Sequence, residues 1–436
     1  MDQQPIDYQA IALQLGKVFK PTSPIKKDDF FQGRATQVRA VCDAINQGGK
    51  HVVLYGEAGV GKTSLGQILK TKLRAIEGDS SIIAPLINCD SSDTYTSIWQ
   101  KLFDQIQDEY SDLGYLFSDE ESNEETGDPE PFEPEVGGPV VVIEHGGQEK
   151  RLTPRDVRRQ LEPLAKHGIA YVILDEFDKA EDHGVRKLMA DTIKLFSDRE
   201  VPVTIVLIGV AKSVTGLIAD HHSIERCLAQ VHLPRMPFPE LKAIVTTGLK
   251  TVGMTVDADA LDEIAGLSRG LPHYTHLLAL NASRCALDDR KMKVTPHHVR
   301  NALKVAVTET NESIRHKYDE ATYSTKKNTL YRHVLLACAV ADCDEFGYFR
   351  PGDVVEPLSA MLGKEFTTDR ISSHLNKFLE VKVLYRDGID YRWRYHFANP
   401  LMQPYVIMKG LGEGAIRREQ LNFADNKYPL FNKKSK

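Results

Sequence analysis

The octapeptide Gly56-Glu57-Ala58-Gly59-Val60-Gly61-Lys62-Thr63 follows the apolar run His51-Val52-Val53-Leu54-Tyr55 and opens a segment with helical apolar periodicity. Its three glycines let consecutive backbone N–H groups turn inward on a run of phosphates. Lys62 adds a positive charge near the β and γ positions, and the Thr63 hydroxyl can ligate Mg²⁺. Strand, glycine turn and helix in that order predict a nucleotide-binding loop. Its cofactor-binding residues are Gly56, Glu57, Ala58, Gly59, Val60, Gly61, Lys62 and Thr63, with the adjoining Ser64.

The second half of such a site lies downstream, where Ile169-Ala170-Tyr171-Val172-Ile173-Leu174 reads as a buried strand ending in Asp175-Glu176. Asp175 is expected to complete the Mg²⁺ shell with Thr63. Glu176, one residue beyond the strand, is expected to polarise the water that attacks the γ-phosphorus. A short glycine pattern also arises in ordinary turns, and an Asp-Glu pair commonly caps a strand or a helix. Both together, in this order and each behind an apolar strand, predict hydrolysis as well as binding.

A chain of 436 residues suits two or three domains. With 42% apolar and 27% charged residues it has the composition of a globular protein, and no apolar run reaches the length of a membrane span. Met1-Asp2-Gln3-Gln4-Pro5 lacks the basic and apolar regions of a secretory signal, so a cytoplasmic location is expected. Cys42, Cys89, Cys227, Cys285, Cys338 and Cys343 contain no Cys-x-x-Cys pair, which argues against a zinc site or a disulfide framework. The net charge of −6 is concentrated in one place. Between Asp119 and Glu135 stand nine acids and no base, which leaves +3 for the remainder, so the global charge does not argue against a nucleic-acid partner.

That acidic stretch also holds Pro129, Pro131 and Pro134 and offers little to bury, and it reads as a disordered insertion over 118–138. A short hairpin turning at Gly146-Gly147 is expected after it. Around the insertion, strands near 51–55, 82–87, 169–174 and 203–208 alternate with helices from 62, near 94–107, from Thr153 and near 184–197. Such alternation predicts a parallel sheet covered by helices on both faces. From Pro237 to about Glu309 only helical periodicity remains, the pattern of an all-α lid. A third unit then offers helices over 330–340, 352–362 and 367–380, and a hairpin over 383–397 turning at Asp387-Gly388. Three helices and a hairpin spell a winged helix. Arg370, His374 and Lys377 share one face of its third helix, and Arg386, Arg392 and Arg394 lie on the hairpin beside Tyr385, Tyr391 and Trp393. These six bases are candidates for contacts with double-stranded DNA, although the same face can serve a protein partner and Asp387 and Asp390 dilute its charge.

With these residues in view, the chain resembles the AAA+ ATPases, most closely the initiator-type group related to origin-recognition proteins and the bacterial transposition-regulator ATPases. The resemblance rests on Phe31-Gln32-Gly33-Arg34, on the 56–63 loop, on Val172–Ala180, on Ser223–Leu228, and on a helical lid ahead of a winged helix. It implies a P-loop α/β core over 31–236, a lid over 237–312 and a winged helix over 326–412, flanked by an N-terminal helix and linker over 1–30 and a tail over 413–436. ATP with Mg²⁺ would be the ligand and ATP hydrolysis the reaction. Lys62, Glu176 and Arg226 would be catalytic, with Arg226 as a finger that completes a neighbouring subunit's site, and Gly33 and Arg34 would touch the adenine.

Two positions depart from the family pattern. The polar residue past the fourth strand falls at Lys212 or Ser213, and Gly270-Leu271-Pro272 is followed by His273 where an arginine is usual. Arg269 or His273 would have to substitute, and a neutral imidazole does not match a fixed guanidinium charge, so slow hydrolysis is expected. The implied function is an oligomerising ATP switch on DNA that recruits or regulates an effector protein. The alternative is a STAND-like signalling ATPase whose winged helix contacts protein.

Overall fold

The computed structural model describes residues 6–25, 31–76, 84–109, 151–166, 171–180, 182–211, 217, 222–325, 329–344, 346–389 and 392–423. The acidic stretch 118–138, the expected hairpin up to residue 150, Lys212, Ser213, Asp390, Tyr391 and the tail beyond residue 423 lie outside the described residues. The chain forms two compact units, one of residues 35–56 and 65–233, the other of residues 1–34, 57–64 and 234–436.

The first unit is built on five parallel strands: β1 (His51–Gly56), β2 (Leu86–Asn88), β3 (Tyr171–Asp175), β4 (Thr204–Val210) and β5 (Leu228–His232). Their spatial order is β2-β3-β4-β1-β5. In sequence β2 falls between the glycine loop and the acidic strand, but in space it forms an edge, and β4 is the strand that separates β1 from β3. Register is fixed by pairs such as Leu54↔Ile208 and Ile173↔Val206. All five strands run the same way, so Gly56 and Asp175 finish at one edge of the sheet, where open parallel sheets bind ligands.

The strand sequences are nearly continuous apolar runs because both faces are covered. Val52, Val53, Leu54, Val172, Ile173, Leu174, Ile205, Val206 and Leu207 are fully buried. On one face Trp99, Leu102 and Ile106 of helix Tyr95–Glu109, Leu161 of helix Pro154–Lys166 and Phe196 of helix His183–Asp198 share a core with Val53, Leu174 and Leu207. Each such side chain contributes about 1.5–3 kcal/mol through removal from water. On the other face, helix Lys62–Ile76 lies close to the sheet at Gly66, where a Cβ would stand 2.8 Å from the Ile208 side chain.

The second unit begins with helix Tyr8–Val18, capped by the Asp7 carboxylate on Gln9 and Ala10 N–H. Helices Phe238–Thr251, Ala258–Leu267, Pro272–Asp288 and Pro296–Glu309 follow, three of them with proline in the first turn. Between these helices lies one short strand pair. Thr255–Val256 (β6) and Lys293–Val294 (β7) pair in parallel, closed by Thr255 N–H on the Met292 carbonyl and Asp257 N–H on the Val294 carbonyl. Two residues are too few to leave a periodicity signal.

Helices Glu312–Thr322, Tyr331–Val340, Pro351–Leu362 and Thr368–Glu380 come next, then the antiparallel pair β8 (Leu384–Asp387) and β9 (Arg394–Phe397), and helix Met402–Gly412. Phe349 bridges to Tyr395 and adds a third backbone to the hairpin. The hairpin is wider than a two-residue Asp-Gly turn, because pairing stops at Asp387↔Arg394. Gly388 sits at φ +115° with the Arg392 carbonyl 2.7 Å from where a Cβ would be, so the loop closes on itself through glycine. Among the described residues no helix is long and apolar enough to cross a membrane.

Candidate nucleotide site

Gly56 ends β1 where a Cβ would lie 2.3 Å from the Leu233 carbonyl oxygen, so the first position of the loop excludes any side chain. Gly59 and Gly61 hold φ of +82° and +98°, in the left-handed region that glycine enters without strain. Lys62 starts helix Lys62–Ile76, so the loop delivers its backbone N–H groups at a positive helix end. The Lys62 side chain is largely buried and its ammonium donates to the Glu57 carbonyl at 2.7 Å, within the loop. Two further contacts brace the loop. The Arg34 guanidinium donates to the Val60 carbonyl at 3.0 Å, and the Ser64 hydroxyl accepts from Ile25 N–H at 3.1 Å. Arg34 itself is 2% exposed and at φ +64°. A non-glycine residue held there costs about 1–3 kcal/mol, which the surrounding contacts must offset.

At the end of β3 the Asp175 carboxylate is buried and accepts from Glu176 N–H at 2.8 Å, while the Asp175 carbonyl accepts from Cys89 N–H at 2.8 Å. Burial pushes the Cys89 thiol up to about 12, which keeps it protonated and inert. Glu176 stands at φ +56°, ψ +31°, a left-handed turn that takes the chain off the strand and into the short 3-10 helix Phe177–Lys179. Its carboxylate is half exposed and accepts from Lys179 at 2.6 Å, an ion pair that raises the Lys179 ammonium. Asp178 fixes the turn by accepting Val210 N–H at 2.7 Å. A buried acid and a water-accessible acid in a left-handed turn thus stand on adjacent residues.

The other expected residues are placed as follows. A Cβ on Gly33 would stand 2.3 Å from a Glu240 carboxylate oxygen, so Gly33 allows that close approach. His273 is turned to the N-terminal segment, with Nδ1 2.7 Å from the Pro21 carbonyl, and burial lowers its pKa. Arg269, at φ +50°, donates to the Ala341 carbonyl at 3.3 Å and the Cys343 sulfur at 3.2 Å. Arg226 lies in the 3-10 helix His222–Cys227 with its side chain 74% exposed, tied only loosely to Asp198 at 3.2 Å.

On the C-terminal unit Arg370, Arg386, Arg392 and Arg394 are exposed. Arg386 lies over Trp393 and Arg394 over Tyr348, at 4.3 and 4.7 Å from the ring centres. Lys377 is less available: its ammonium sits 4.0 Å above Tyr331. His374 packs edge-on against the same ring, and burial lowers its pKa.

Sequence reasoning missed Arg235. Its guanidinium is 2% exposed and makes a 2.8 Å ion pair with the Glu57 carboxylate of the loop. The only sequence sign is an arginine between Pro234 and Pro237, and its partner is 178 residues away.

Residues 45–217 match the family model described as AAA domain. No curated protein matches the sequence. Among solved structures, a Walker-type ATPase of Pyrococcus abyssi is similar at 16% identity and a TM-score of 0.50, covering 89% of this chain and 99% of that one. The ORC2 protein of Aeropyrum pernix, in ADPNP-ADP complexes, aligns at 13% identity and a TM-score of 0.48, over 92% and 96% of the two chains. The ORC1 protein of the same organism, in complex with DNA, aligns at 16% identity and 0.44, over 91% and 97%. Strand order and loop geometry agree with the 45–217 match, and this part of the chain has the fold of an AAA domain with a P-loop.

Proposed function

We propose that the chain is an initiator-type ATP switch of the cytoplasm that assembles with further copies of itself, engages duplex DNA through a C-terminal winged helix, and recruits or regulates an effector protein. The left-handed glycines and the helix start at Lys62 suit a triphosphate, and the buried Asp175 suits a hard cation. Bound Mg²⁺ would supply charge neutralisation at the phosphates. Lys62 turns from the Glu57 carbonyl to the β and γ oxygens, and Glu176 takes a proton from the attacking water. Arg226 reaches into a neighbouring copy, for which its exposure suits it.

The observation that carries the DNA assignment is the set of exposed arginines on one compact unit, with Arg370 on the third helix and Arg386, Arg392 and Arg394 on the hairpin. Stacking of Arg386 and Arg394 on aromatic rings prepositions two guanidinium groups for phosphate. The test is assembly size: protein with a non-hydrolysable ATP analogue and duplex DNA should form larger particles than with either ligand alone. Assembly that ignores DNA would refute the DNA role. One observation favours the STAND-like reading instead. Leu401, held by the Tyr274 hydroxyl on its carbonyl at 2.6 Å, closes over Gly59, so helix Met402–Gly412 begins beside the phosphate loop. In that reading the C-terminal unit restrains the nucleotide site and the trigger is a protein.

A further inference from the structure

Glu57 places a carboxylate inside a loop that must receive a polyanion, and left alone it would oppose the ligand electrostatically. The structure answers it with one buried cation. Arg235 Nε donates to Glu57 Oε2 at 2.8 Å, with the two side chains 2% and 22% exposed. The guanidinium is held from behind as well. Nη1 donates to Gln403 Oε1 at 2.6 Å and reaches the Arg269 carbonyl at 3.4 Å. Gln403 in turn is pinned, its Nε2 donating to the Ala339 carbonyl at 2.9 Å. Gly347 leaves the room this needs, since a Cβ there would stand 2.6 Å from Arg235 Nη2 and 3.2 Å from Glu57 Oε1. The acid comes from the loop, the cation from the entry to the lid, and the residues that orient the cation from helices Tyr331–Val340 and Met402–Gly412.

We infer that Arg235 is a charge-compensating and positioning residue of the nucleotide site: it cancels Glu57 within the phosphate loop, and Gln403 of the C-terminal helix holds it there. The inference rests on the nucleotide reading of the loop and adds a route by which the C-terminal unit sets phosphate affinity. Docking of helix Met402–Gly412 keeps the loop neutral. Withdrawal of Gln403 releases Arg235 and leaves the Glu57 carboxylate facing the phosphates.

The experiment measures Mg²⁺-ATP, ADP and AMP affinities for the full chain, Arg235→Gln, and Arg235→Gln with Glu57→Gln. Arg235→Gln should weaken ATP about tenfold, the scale of one unit charge acting through a partly solvated site, with smaller losses for ADP and least for AMP. Adding Glu57→Gln should return ATP affinity to within about threefold of the parent. A purely structural arginine would give equal losses for the three nucleotides and no rescue, and that result overturns the inference. If Arg235→Gln does not fold, Gln403→Leu keeps both charges and should still weaken ATP about threefold, an effect that vanishes beside Glu57→Gln. Unchanged ATP affinity in Gln403→Leu removes the C-terminal helix from the account. Failure of the parent chain to bind ATP refutes the nucleotide reading itself, a result distinct from either.

Discussion

Glutamine at position 176 separates catalysis from everything else Glu176 does. The change is isosteric and leaves the backbone at φ +56°, so the turn off β3 is retained. It removes an ion pair with Lys179 whose side chains are 43% and 50% exposed, and such a pair contributes at most about 0.5 kcal/mol in water. Stability should therefore move by no more than about 1–2 °C in Tm. The Asp175 contact is made to the backbone N–H of residue 176, which the substitution keeps, so the Asp175 carboxylate should hold its place. Loss of a general base typically lowers the rate by about 10²–10⁴, equivalent to about 3–5 kcal/mol of barrier. Phosphate release at saturating Mg²⁺-ATP should fall at least about 100-fold, while fluorescent-nucleotide binding on the same sample stays within about threefold. Turnover within about threefold of the parent would show that Glu176 is not the base and that its strained backbone serves the turn alone.

Arg226→Ala should leave ATP affinity and Tm unchanged, because the side chain is exposed, yet reduce turnover about 10³-fold under conditions where the chain assembles, as steady-state hydrolysis against protein concentration will show. Arg386→Ala with Arg392→Ala should weaken duplex binding and flatten its salt dependence by about two units of slope, measured by titration at several salt concentrations. His51 and His276 are both lowered by burial to about 4, and His51 Nδ1 accepts Ile205 N–H, which only a neutral ring can do. The unfolded chain binds those protons first, near pH 6.5, so stability present above pH 6.5 is lost as pH falls toward about 4. Each histidine should cost up to about 2 kcal/mol between pH 6.5 and pH 5 in urea unfolding, and His51→Gln should lose less.

Local chemistry was the part of the molecule legible from sequence. The glycine loop, the apolar strands at 51–55 and 171–174, and the acid pair at 175–176 announce themselves because each depends on adjacent residues. The parallel strand pattern followed from apolar runs covered on both faces, and the third-unit helices from their periodicity. Contacts distant in sequence gave no such sign. Arg235 reaches Glu57 from 178 residues away and is held by Gln403 a further 168 residues on, Arg34 donates to the Val60 carbonyl, and Leu401 closes on Gly59. The two-residue β6–β7 pair and the width of the β8–β9 turn were missed because neither has a repeat long enough to register.

The central claim is that the 56–63 loop holds the phosphates of ATP and that Lys62 grips them. Mg²⁺-ATP affinity and turnover, compared between the parent chain and Lys62→Ala with thermal unfolding as a control, test it most directly. The account predicts a parent that binds and hydrolyses ATP and a folded variant that does neither. A parent that retains no nucleotide, or a variant that binds and turns over ATP as the parent does, would contradict it.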